Sequence, residues 1–203
     1  MESDLWAFEN QAKAKGFQSI AGIDEAGRGP LAGPVVSAAV ILPDGFPVPG
    51  VTDSKKLTRK KRQQLYAEIY AHAIAIGIGI IDPLVIDRVN ILQAALQSMA
   101  MSVQSLVPEP DFLLIDGTFR IPSPLPQHPI THGDSLSISI AAASIIAKVT
   151  RDNLMDIYHQ EYPQFGFGKH KGYPTRAHRE AIRKFGCCPI HRKSFRGVRD
   201  HLS

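Results

Sequence analysis

The residues most suggestive of chemistry are two adjacent carboxylates, Asp24 and Glu25, which directly follow the apolar run of residues 20–23. An apolar run that ends in acids predicts a buried strand whose last residues emerge at the edge of a sheet. Because two close carboxylates raise each other's pKa, a cation between them is favoured. Mg²⁺ and Mn²⁺ prefer such hard oxygen ligands. The pair therefore predicts a divalent metal site.

A glycine-rich loop follows the two acids at once, with Arg28 between Gly27 and Gly29. Glycine lets the backbone adopt a positive φ or approach a bulky ligand closely. Arg28 adds a fork of N–H donors that suits phosphate groups or sugar hydroxyls. Residues 24–29 therefore predict a metal site that handles a phosphate.

Two further acids repeat the pattern, since Asp116 follows the apolar run 112–115 and Asp134 follows the run 130–132 after one glycine. Each also has a structural interpretation, because Asp-Gly is a common turn dipeptide and an Asp before a helix is a natural N-cap. Open α/β sheets gather ligands at the carboxyl ends of their strands. Converging carboxylates there would hold two divalent ions about 3.5–4 Å apart, which suits phosphodiester displacement. We expect four acids to converge: Asp24, Glu25, Asp116 and Asp134.

The hydrophobic pattern predicts the elements that would position these acids. Strands are predicted over residues of about 18–24, 33–42, 73–81, 112–115 and 130–132. Helices are predicted over residues of about 58–71, 82–106 and 135–159. In the strand 73–81 isoleucines alternate with Ala and Gly, so we expect the isoleucine side to fill a core and the other side to admit close packing. Three successive strands followed by alternating strands and helices favour an α/β fold with a mixed sheet and helices on both faces.

The C-terminal part is strongly basic. Residues 169–199 contain ten Lys and Arg against the single acid Glu180, a net charge of +9, while residues 1–168 carry −4. A basic segment on an acidic body indicates a surface for polyanions; a solvated basic helix is the alternative. Aromatic residues beside the cations favour nucleic acid, since they stack on bases or sugars: Phe165, Phe167, Tyr173 and Phe195. We expect residues of about 163–203 to pack beside the sheet, so that residues 1–203 form one domain.

Composition narrows the class of protein. A hydrophobic content of 44% is ordinary for a soluble protein with a substantial core. The longest apolar stretch, about residues 135–147, is shorter than the ~18 residues of a membrane span, and residues 1–15 lack the apolar core of a secretory signal. The adjacent Cys187 and Cys188 cannot staple a loop and favour a reducing, cytoplasmic compartment. Together with His191 they make a poor zinc site.

Several blocks of the chain, in one order, resemble bacterial ribonuclease HII. They are residues 22–34 (GIDEAGRGPLAGP), 53–58 (DSKKLT), 115–117 (IDG), 133–134 (GD), 139–152 (SIAAASIIAKVTRD), 170–175 (HKGYPT) and 191–195 (HRKSF). The blocks cover most of the chain and are far more specific together than one short motif. The resemblance implies a ribonuclease H-like fold, a mixed five-stranded sheet flanked by helices with a C-terminal helical basic segment.

The resemblance also implies an activity. It is endonucleolytic cleavage of RNA in RNA–DNA hybrids and incision on the 5′ side of a single ribonucleotide embedded in duplex DNA. Mn²⁺ or Mg²⁺ is required, with two ions per active site, and the products are a 3′-hydroxyl and a 5′-phosphate. The expected partners are these duplexes, in DNA replication and repair, and the expected state is a cytoplasmic monomer.

Site roles carry over residue by residue from the resemblance. The acidic metal-binding and catalytic group corresponds to Asp24, Glu25, Asp116 and Asp134. The loop that senses the ribose 2′-hydroxyl corresponds to Gly27, Arg28 and Gly29, and Tyr173 corresponds to the tyrosine that packs on the deoxyribose after the ribonucleotide. Since the 2′-hydroxyl alone distinguishes the two backbones at one nucleotide, such a loop and ring would read an RNA-to-DNA junction. Five lysines are candidate phosphate contacts, with ordinary surface lysines as the alternative: Lys55, Lys56, Lys148, Lys169 and Lys171.

One position departs from the family pattern, because His132 stands where the family often has lysine, and this changes the charge near the metals. The absence of a long N-terminal extension favours this family over the related ribonuclease HIII.

The mechanistic hypothesis is two-metal hydrolysis. One ion, among Asp24, Asp116 and Asp134, activates a water, and the other, among Asp24 and Glu25, stabilises the leaving 3′ oxygen. The sequence leaves open which acid holds which ion. Two alternatives also stay open: another metal-dependent phosphoryl-transfer enzyme on this fold, and a non-enzymatic duplex-binding module whose acids are caps and turns. The module would bind duplexes with a steep salt dependence and would not cleave them.

Overall fold

The centre of the computed structural model, which describes residues 4–46, 50–51, 54 and 57–201, is a five-stranded sheet. Its strands are β1 (Ile20–Ala26), β2 (Val35–Ile41), β3 (Ala75–Ile81), β4 (Phe112–Asp116) and β5 (Gln127–Ile130). Their spatial order is β3-β2-β1-β4-β5. β1 pairs antiparallel with β2 and parallel with β4, while β3 joins β2 antiparallel and β5 joins β4 parallel. The mixed sheet predicted from the sequence is confirmed.

The helices of the described residues surround this sheet. They are α1 (Ala7–Ala14), α2 (Arg59–His72), α3 (Pro83–Val89), α4 (Ile91–Gln104), α5 (Ile138–Glu161), α6 (Phe167–His170) and α7 (Arg176–Phe185). α2 begins where predicted because the Thr58 side chain accepts a hydrogen bond from the Lys61 N–H. None of the helices in this part of the chain is both long and apolar enough to cross a membrane.

The two faces of the sheet are covered by different helices. α5 packs on β1 and β2 with α2 beside it, and α4 packs on the opposite face against β1, β2 and β3. α5 approaches β1 so closely that a Cβ added to Gly22 would overlap the backbone of Ser139. The first turns of α5 therefore lie directly over the strand that ends in Asp24 and Glu25.

Strand β3 confirms the close packing expected on its Ala/Gly side. A Cβ added to Gly77 or Gly79 would overlap backbone oxygens of α4. The isoleucine side fills a core only in part, because Ile74 is 51% and Ile80 42% exposed while the two isoleucines between them pack against the α5 side. β3 is an edge strand, so the helices on that face cover only its middle.

The single helix predicted over residues 82–106 is wrong, since the structure has α3 and α4 in its place. The break is at Asn90, which has a positive φ of 74° and whose side chain accepts hydrogen bonds from the Leu92 and Gln93 N–H groups. Asn is one of the few non-glycine residues that tolerates this backbone region, and its side chain then caps the following helix.

The last strand also lies earlier than predicted. β5 covers Gln127–Ile130 and includes Pro129, whereas His132 has the left-handed φ of 57°. β5 is an edge strand and therefore tolerates a residue without an N–H donor. The segment that contains Pro122, Pro124, Pro126 and Pro129 thus ends in a strand.

The C-terminal part packs on the loop between β1 and β2 and on α5. Backbone hydrogen bonds join the Leu31 N–H to the Gly172 carbonyl at 2.8 Å and the Gly33 N–H to the Ile190 carbonyl at 2.9 Å. An apolar cluster reinforces this contact with Ala32, Met155, Phe165, Phe167, Cys188 and Ile190. Residues 30–34 of this loop are therefore buried against the basic C-terminal part, while Arg28 and Gly29 remain exposed.

Candidate active site

The parallel pairing of β1 and β4 places two of the predicted acids side by side. Ile23 pairs with Ile115, so the next residues on the two strands are Asp24 and Asp116. Ile23 and Ile115 belong to the core on the α4 side. Because side chains alternate along a strand, both acids lie on the α5 side.

Asp24 is buried beside other negative charges. Asp24 is only 3% exposed, and its Oδ1 accepts a hydrogen bond from the Glu25 N–H at 2.6 Å. Burial raises the pKa of Asp24 well above its usual value, and the charges of Glu25 and Asp116 raise that pKa further. The Ser144 hydroxyl and the Glu25 N–H favour the charged form but do not reverse the shift. A cation at this position would relieve the repulsion.

Asp116 is tied to the segment that carries Asp134. Its Oδ1 accepts a hydrogen bond from the Gly133 N–H at 2.7 Å. Asp134 follows in the short 3₁₀ turn Gly133–Ser135 and is 5% exposed. The N-cap of α5 is Ser137, whose side chain accepts from the Ile140 N–H. The interpretation of Asp134 as the helix cap is therefore wrong, and Asp134 lies buried next to the residue that anchors Asp116.

The chemistry of these donors fits a hard divalent cation, because all four are carboxylates and Asp24 is shifted by the charges of two of the others. Among the described residues, no three or more His, Cys, Asp or Glu side chains are close enough together to ligate one metal ion as they stand. A cation here is therefore favoured by the type and charge of the four acids.

A cleft of about 290 Å³ opens beside the acids. Residues 25–29 line one side of it, and Ser144, Lys148 and Tyr173 are also in its lining. Tyr173 is 41% exposed, and a Cβ added to Gly29 would lie 3.7 Å from its Cε1 atom. The glycine loop and the tyrosine ring predicted from the sequence therefore meet at one cleft.

Arg28 lies at the mouth of this cleft. Its Nη1 is 3.3 Å from Oε1 of Glu25, and half of its side chain is exposed. The guanidinium is therefore placed between the acidic group and solvent.

The backbone of Tyr173 is fixed by two histidines. Its N–H donates to the His170 carbonyl at 2.9 Å, and its carbonyl oxygen accepts from Nδ1 of His178 at 2.9 Å. The Nε2 atoms of His178 and His191 are 3.1 Å apart, so one donates to the other. Burial lowers the pKa of both imidazoles to about 4, which keeps them neutral at neutral pH. The backbone that carries the Tyr173 ring is thus hydrogen-bonded to the buried His178, which is itself bonded to the buried His191.

The candidate phosphate-binding lysines have different surroundings. Lys148 is partly buried, lies 5.9 Å from the centre of the Tyr173 ring and pairs with Asp152 at 2.7 Å; burial lowers its pKa. Lys169 is exposed. Lys171 is nearly buried and ion-paired with Asp156, which does not favour a phosphate contact. Lys55 and Lys56 lie outside the described residues.

Sequence reasoning gave no role to two arginines that the structure places under the glycine loop. Arg151 and Arg192 are both 0% exposed and bind backbone carbonyls of residues 27–34. Arg192 is one of ten basic residues in its segment, so nothing in the sequence distinguishes it as a buried residue. Arg151 lies four residues from each of the buried Ala147 and Met155 on α5, and this helical spacing was the available signal that its side chain is buried.

The fold and the acids at its strand ends define a class, the nucleases of the ribonuclease H type. The ribonuclease H2 of Pyrococcus horikoshii OT3 superposes with a TM-score of 0.74 at 27% identity, over 90% of this chain and 96% of that one. The RNase HII in a PCNA complex from Archaeoglobus fulgidus gives 0.73 at 26%, over 88% and 96%. Bst-RNase HIII in complex with Mn²⁺ shares the fold, with a TM-score of 0.68 at 20% identity over 90% and 68% of the two chains.

Sequence relatives identify the family within this class. The family model described as Ribonuclease HII matches residues 21–198. The Ribonuclease HII of Geobacter metallireducens is 57% identical over 202 residues, which span 100% of this chain and 95% of the relative. That of Geobacter sulfurreducens is 59% identical over 198 residues, or 98% and 91%. The chain belongs to the ribonuclease HII family.

Family membership establishes the general activity. The protein is a hydrolase of the ribonuclease H type, an endoribonuclease that acts on RNA–DNA hybrids. Enzymes of this type depend on divalent metal ions, as the carboxylate site leads one to expect.

Proposed function

We propose that this enzyme incises duplex DNA on the 5′ side of single embedded ribonucleotides as well as cutting the RNA strand of hybrids. The products would be a 3′-hydroxyl and a 5′-phosphate that begins with the ribonucleotide. The observation that supports this most strongly is the position of the buried Asp24 and its acidic neighbours beside a cleft that also holds the glycine loop and Tyr173. Such substrates form where chromosomal DNA is copied, so we also propose a cytoplasmic location.

Mn²⁺ or Mg²⁺ would be held by Asp24, Glu25, Asp116 and Asp134. Two such ions, when bound, supply an activated water and neutralise charge on the scissile phosphate and the leaving oxygen. Asp116 enters the reaction already oriented by its hydrogen bond from the Gly133 N–H. Burial and the neighbouring carboxylates raise the pKa of Asp24 in the metal-free protein, and a bound cation would favour its charged form.

Sugar selectivity would come from the two sides of the cleft. On one side, peptide groups of residues 27–29 can hydrogen-bond the 2′-hydroxyl of the scissile nucleotide. On the other side, the Tyr173 ring can pack on the next sugar. A 2′-hydroxyl on that next sugar would be pressed against an apolar ring without a partner, which is unfavourable. An RNA-to-DNA junction satisfies both sides.

Duplex binding would use the basic C-terminal part and two of the candidate lysines. Lys148 lies at the cleft beside Tyr173, and Lys169 is exposed on the adjoining α6. Both would contact phosphates and so position the duplex without reading its sequence. Lys55 and Lys56 belong to the same proposal on sequence grounds alone.

The test is a cleavage assay on a 5′-labelled DNA duplex with one ribonucleotide, next to the same duplex made entirely of DNA. With Mn²⁺ or Mg²⁺ we expect one labelled product that ends in a 3′-hydroxyl just before the ribonucleotide, and no product with chelator. Equal cutting of the all-DNA duplex would instead favour a general phosphoryl-transfer enzyme. Salt-sensitive binding with no cleavage under any metal would contradict the proposal and favour a binding module.

A further inference from the structure

Arg192 makes an unusual set of hydrogen bonds to the glycine loop. Its guanidinium donates to four backbone carbonyls: Gly27 at 2.6 Å, Arg28 at 3.0 Å, Pro30 at 2.9 Å and Gly33 at 3.0 Å. The side chain is fully buried. Burial, and secondarily the charge of Arg151, lowers the pKa of Arg192 to about 9, so the side chain still carries its charge at neutral pH. A buried cation is here balanced by carbonyl dipoles of one loop.

Arg151 binds the same loop from the side of α5. It donates to the carbonyls of Ala32 and Pro34 and to the carbonyl of Lys171, at 3.0–3.1 Å. Its guanidinium carbon is 6.0 Å from the centre of the Tyr173 ring. Arg151 therefore joins the loop to the tyrosine segment, while Arg192 donates to four carbonyls within the loop itself.

The carbonyl contacts determine where the N–H groups of the loop point. In a planar trans peptide, the C=O of one residue and the N–H of the next point in opposite directions. Since Arg192 holds the carbonyls of Gly27 and Arg28, the N–H groups of Arg28 and Gly29 point away from it. Neither of these N–H groups donates to a backbone carbonyl within the described part of the chain. The peptide between Pro30 and Leu31 shows the same opposition: its carbonyl accepts from Arg192, and its N–H donates to the Gly172 carbonyl on the other side.

These two N–H groups belong to residues that line the cleft opposite Tyr173. An oxygen acceptor placed in the cleft, such as a 2′-hydroxyl, would meet two adjacent donors. If the carbonyls turned outward instead, the loop would present acceptors to the sugar and lose this preference.

We propose that Arg192 is a positioning residue for ribose recognition: by holding the Gly27 and Arg28 carbonyls inward, it aims the Arg28 and Gly29 N–H groups at the sugar. The inference rests on the proposed sugar-sensing function of the loop. It assigns that function to a buried side chain that does not itself line the cleft.

The direct test compares binding of two duplexes to one protein preparation in the presence of chelator. One duplex contains a single ribonucleotide, and the other is the same sequence in DNA. The readout is the dissociation constant of the all-DNA duplex divided by that of the ribonucleotide-containing duplex. The fraction of correctly folded protein cancels in this ratio. The variant is Arg192→Lys, which keeps the charge but cannot reach four carbonyls from one ammonium group. The matched control is Arg88→Lys, an exposed arginine on α3 that lies outside the proposed site.

We expect the ratio to fall about tenfold in Arg192→Lys and to stay at the wild-type value in Arg88→Lys, with affinity for the all-DNA duplex within about twofold in both. A wild-type ratio in Arg192→Lys would overturn the inference alone. So would an equal loss of affinity for both duplexes, which indicates a general structural role. A ratio of one in the wild-type protein would overturn the sugar-sensing function and the inference together.

A second measurement needs no variant and remains decisive if Arg192→Lys does not fold. In amide NMR spectra of the wild-type protein, the Arg28 and Gly29 N–H signals should shift with the ribonucleotide-containing duplex and not with the all-DNA duplex. The Nη–H groups of Arg192, which donate to the Gly27 and Arg28 carbonyls, should exchange slowly with solvent in the free protein. Fast exchange of these Nη–H groups would contradict the inference alone, and the same amide shifts with both duplexes would contradict the sugar-sensing function and the inference together.

Discussion

The acids at the strand ends and the neighbouring glycine loop both bury charge, and they do so in opposite ways. At the acids, Asp24 is buried next to carboxylates of the same sign, and its pKa is raised as a result. Beneath the loop, the buried guanidinium groups of Arg151 and Arg192 donate hydrogen bonds to its backbone carbonyls. The negative charge of the acids can therefore be neutralised by a bound cation. The positive charge of the two arginines is already balanced by the carbonyl groups of the loop.

This contrast matches the two roles proposed for these regions. The proposed metal site would need carboxylates that a cation can bring together, whereas the proposed sugar-sensing loop would need a backbone of fixed conformation. Arg151 lies on α5 together with Ser144, which contacts the acidic group, so one helix supports both regions. Variants that affect one region and spare the other can test the separation.

The largest expected effect comes from Asp116→Asn. Loss of one carboxylate from the proposed metal site should cost several kcal/mol of transition-state stabilisation, or about a thousandfold in the cleavage rate. The fold should be retained, because an Asn oxygen can still accept from the Gly133 N–H. Cleavage of a one-ribonucleotide duplex and thermal unfolding measure the two outcomes, and a wild-type cleavage rate would remove Asp116 from the mechanism.

The next effect separates two glycines of the loop. Gly27 has a φ of 101°, and a Cβ there would overlap Arg151 and lie 2.8 Å from the Pro34 carbonyl oxygen. Gly27→Ala should therefore lower the free energy of unfolding by about 2–4 kcal/mol. In Gly29→Ala the new Cβ meets only the Tyr173 ring at 3.7 Å, so the melting temperature should stay within about 2 °C while ribonucleotide cleavage falls. Similar melting temperatures for both variants would contradict the role given to the buried arginines.

A smaller effect is expected for Tyr173→Ala. Loss of the exposed ring should lower the preference for a single-ribonucleotide duplex over an all-RNA-strand hybrid by about tenfold, because one ring–nucleotide contact is removed. Overall duplex affinity should change less, since phosphate contacts remain. The ratio of kcat/KM values on the two substrates is the measurement. Equal losses on both would count against junction reading by this ring.

The smallest effect is a pH-dependent gain in stability for Asp24→Asn in chelator. In the metal-free protein the folded state holds a proton on Asp24 above the usual pKa of 3.8, while the unfolded chain releases it. Folded protein then binds more protons, so wild-type stability falls as pH rises from about 4 toward the raised pKa. Asn cannot ionise, and the variant should be the more stable protein at neutral pH and lose this advantage below about pH 4.

Urea unfolding at pH 7 and pH 4 measures this difference, with the exposed Asp200→Asn as the matched control. Asp200→Asn should show no such pH-dependent gain. A variant Asp24→Asn that is less stable than wild type at both pH values would contradict the repulsion described for the acidic site.

Local pattern was sufficient where neighbouring residues decide the structure. The apolar runs before Asp24 and Asp116 predicted β1 and β4, and Thr58 predicted the start of α2. Pattern failed where one residue changes the chain direction, as Asn90 does between α3 and α4, and where an edge strand accepts Pro129. In both cases one residue decided the local structure: Asn90 accepts a positive φ that ends a helix, and Pro129 is accepted in an edge strand. The secondary-structure propensity of the neighbouring residues did not indicate either outcome.

Read alone, the chain was enough to establish its acids, its glycine loop, its basic C-terminal part and its family resemblance, because these depend on residue type and spacing. It did not reveal that Arg192 reaches the carbonyl of Gly27, 165 positions earlier, or that Asp134 leaves the capping of α5 to Ser137. Such contacts depend on how distant segments pack. A buried guanidinium is stable only when folding brings enough carbonyls around it, and no local pattern records that.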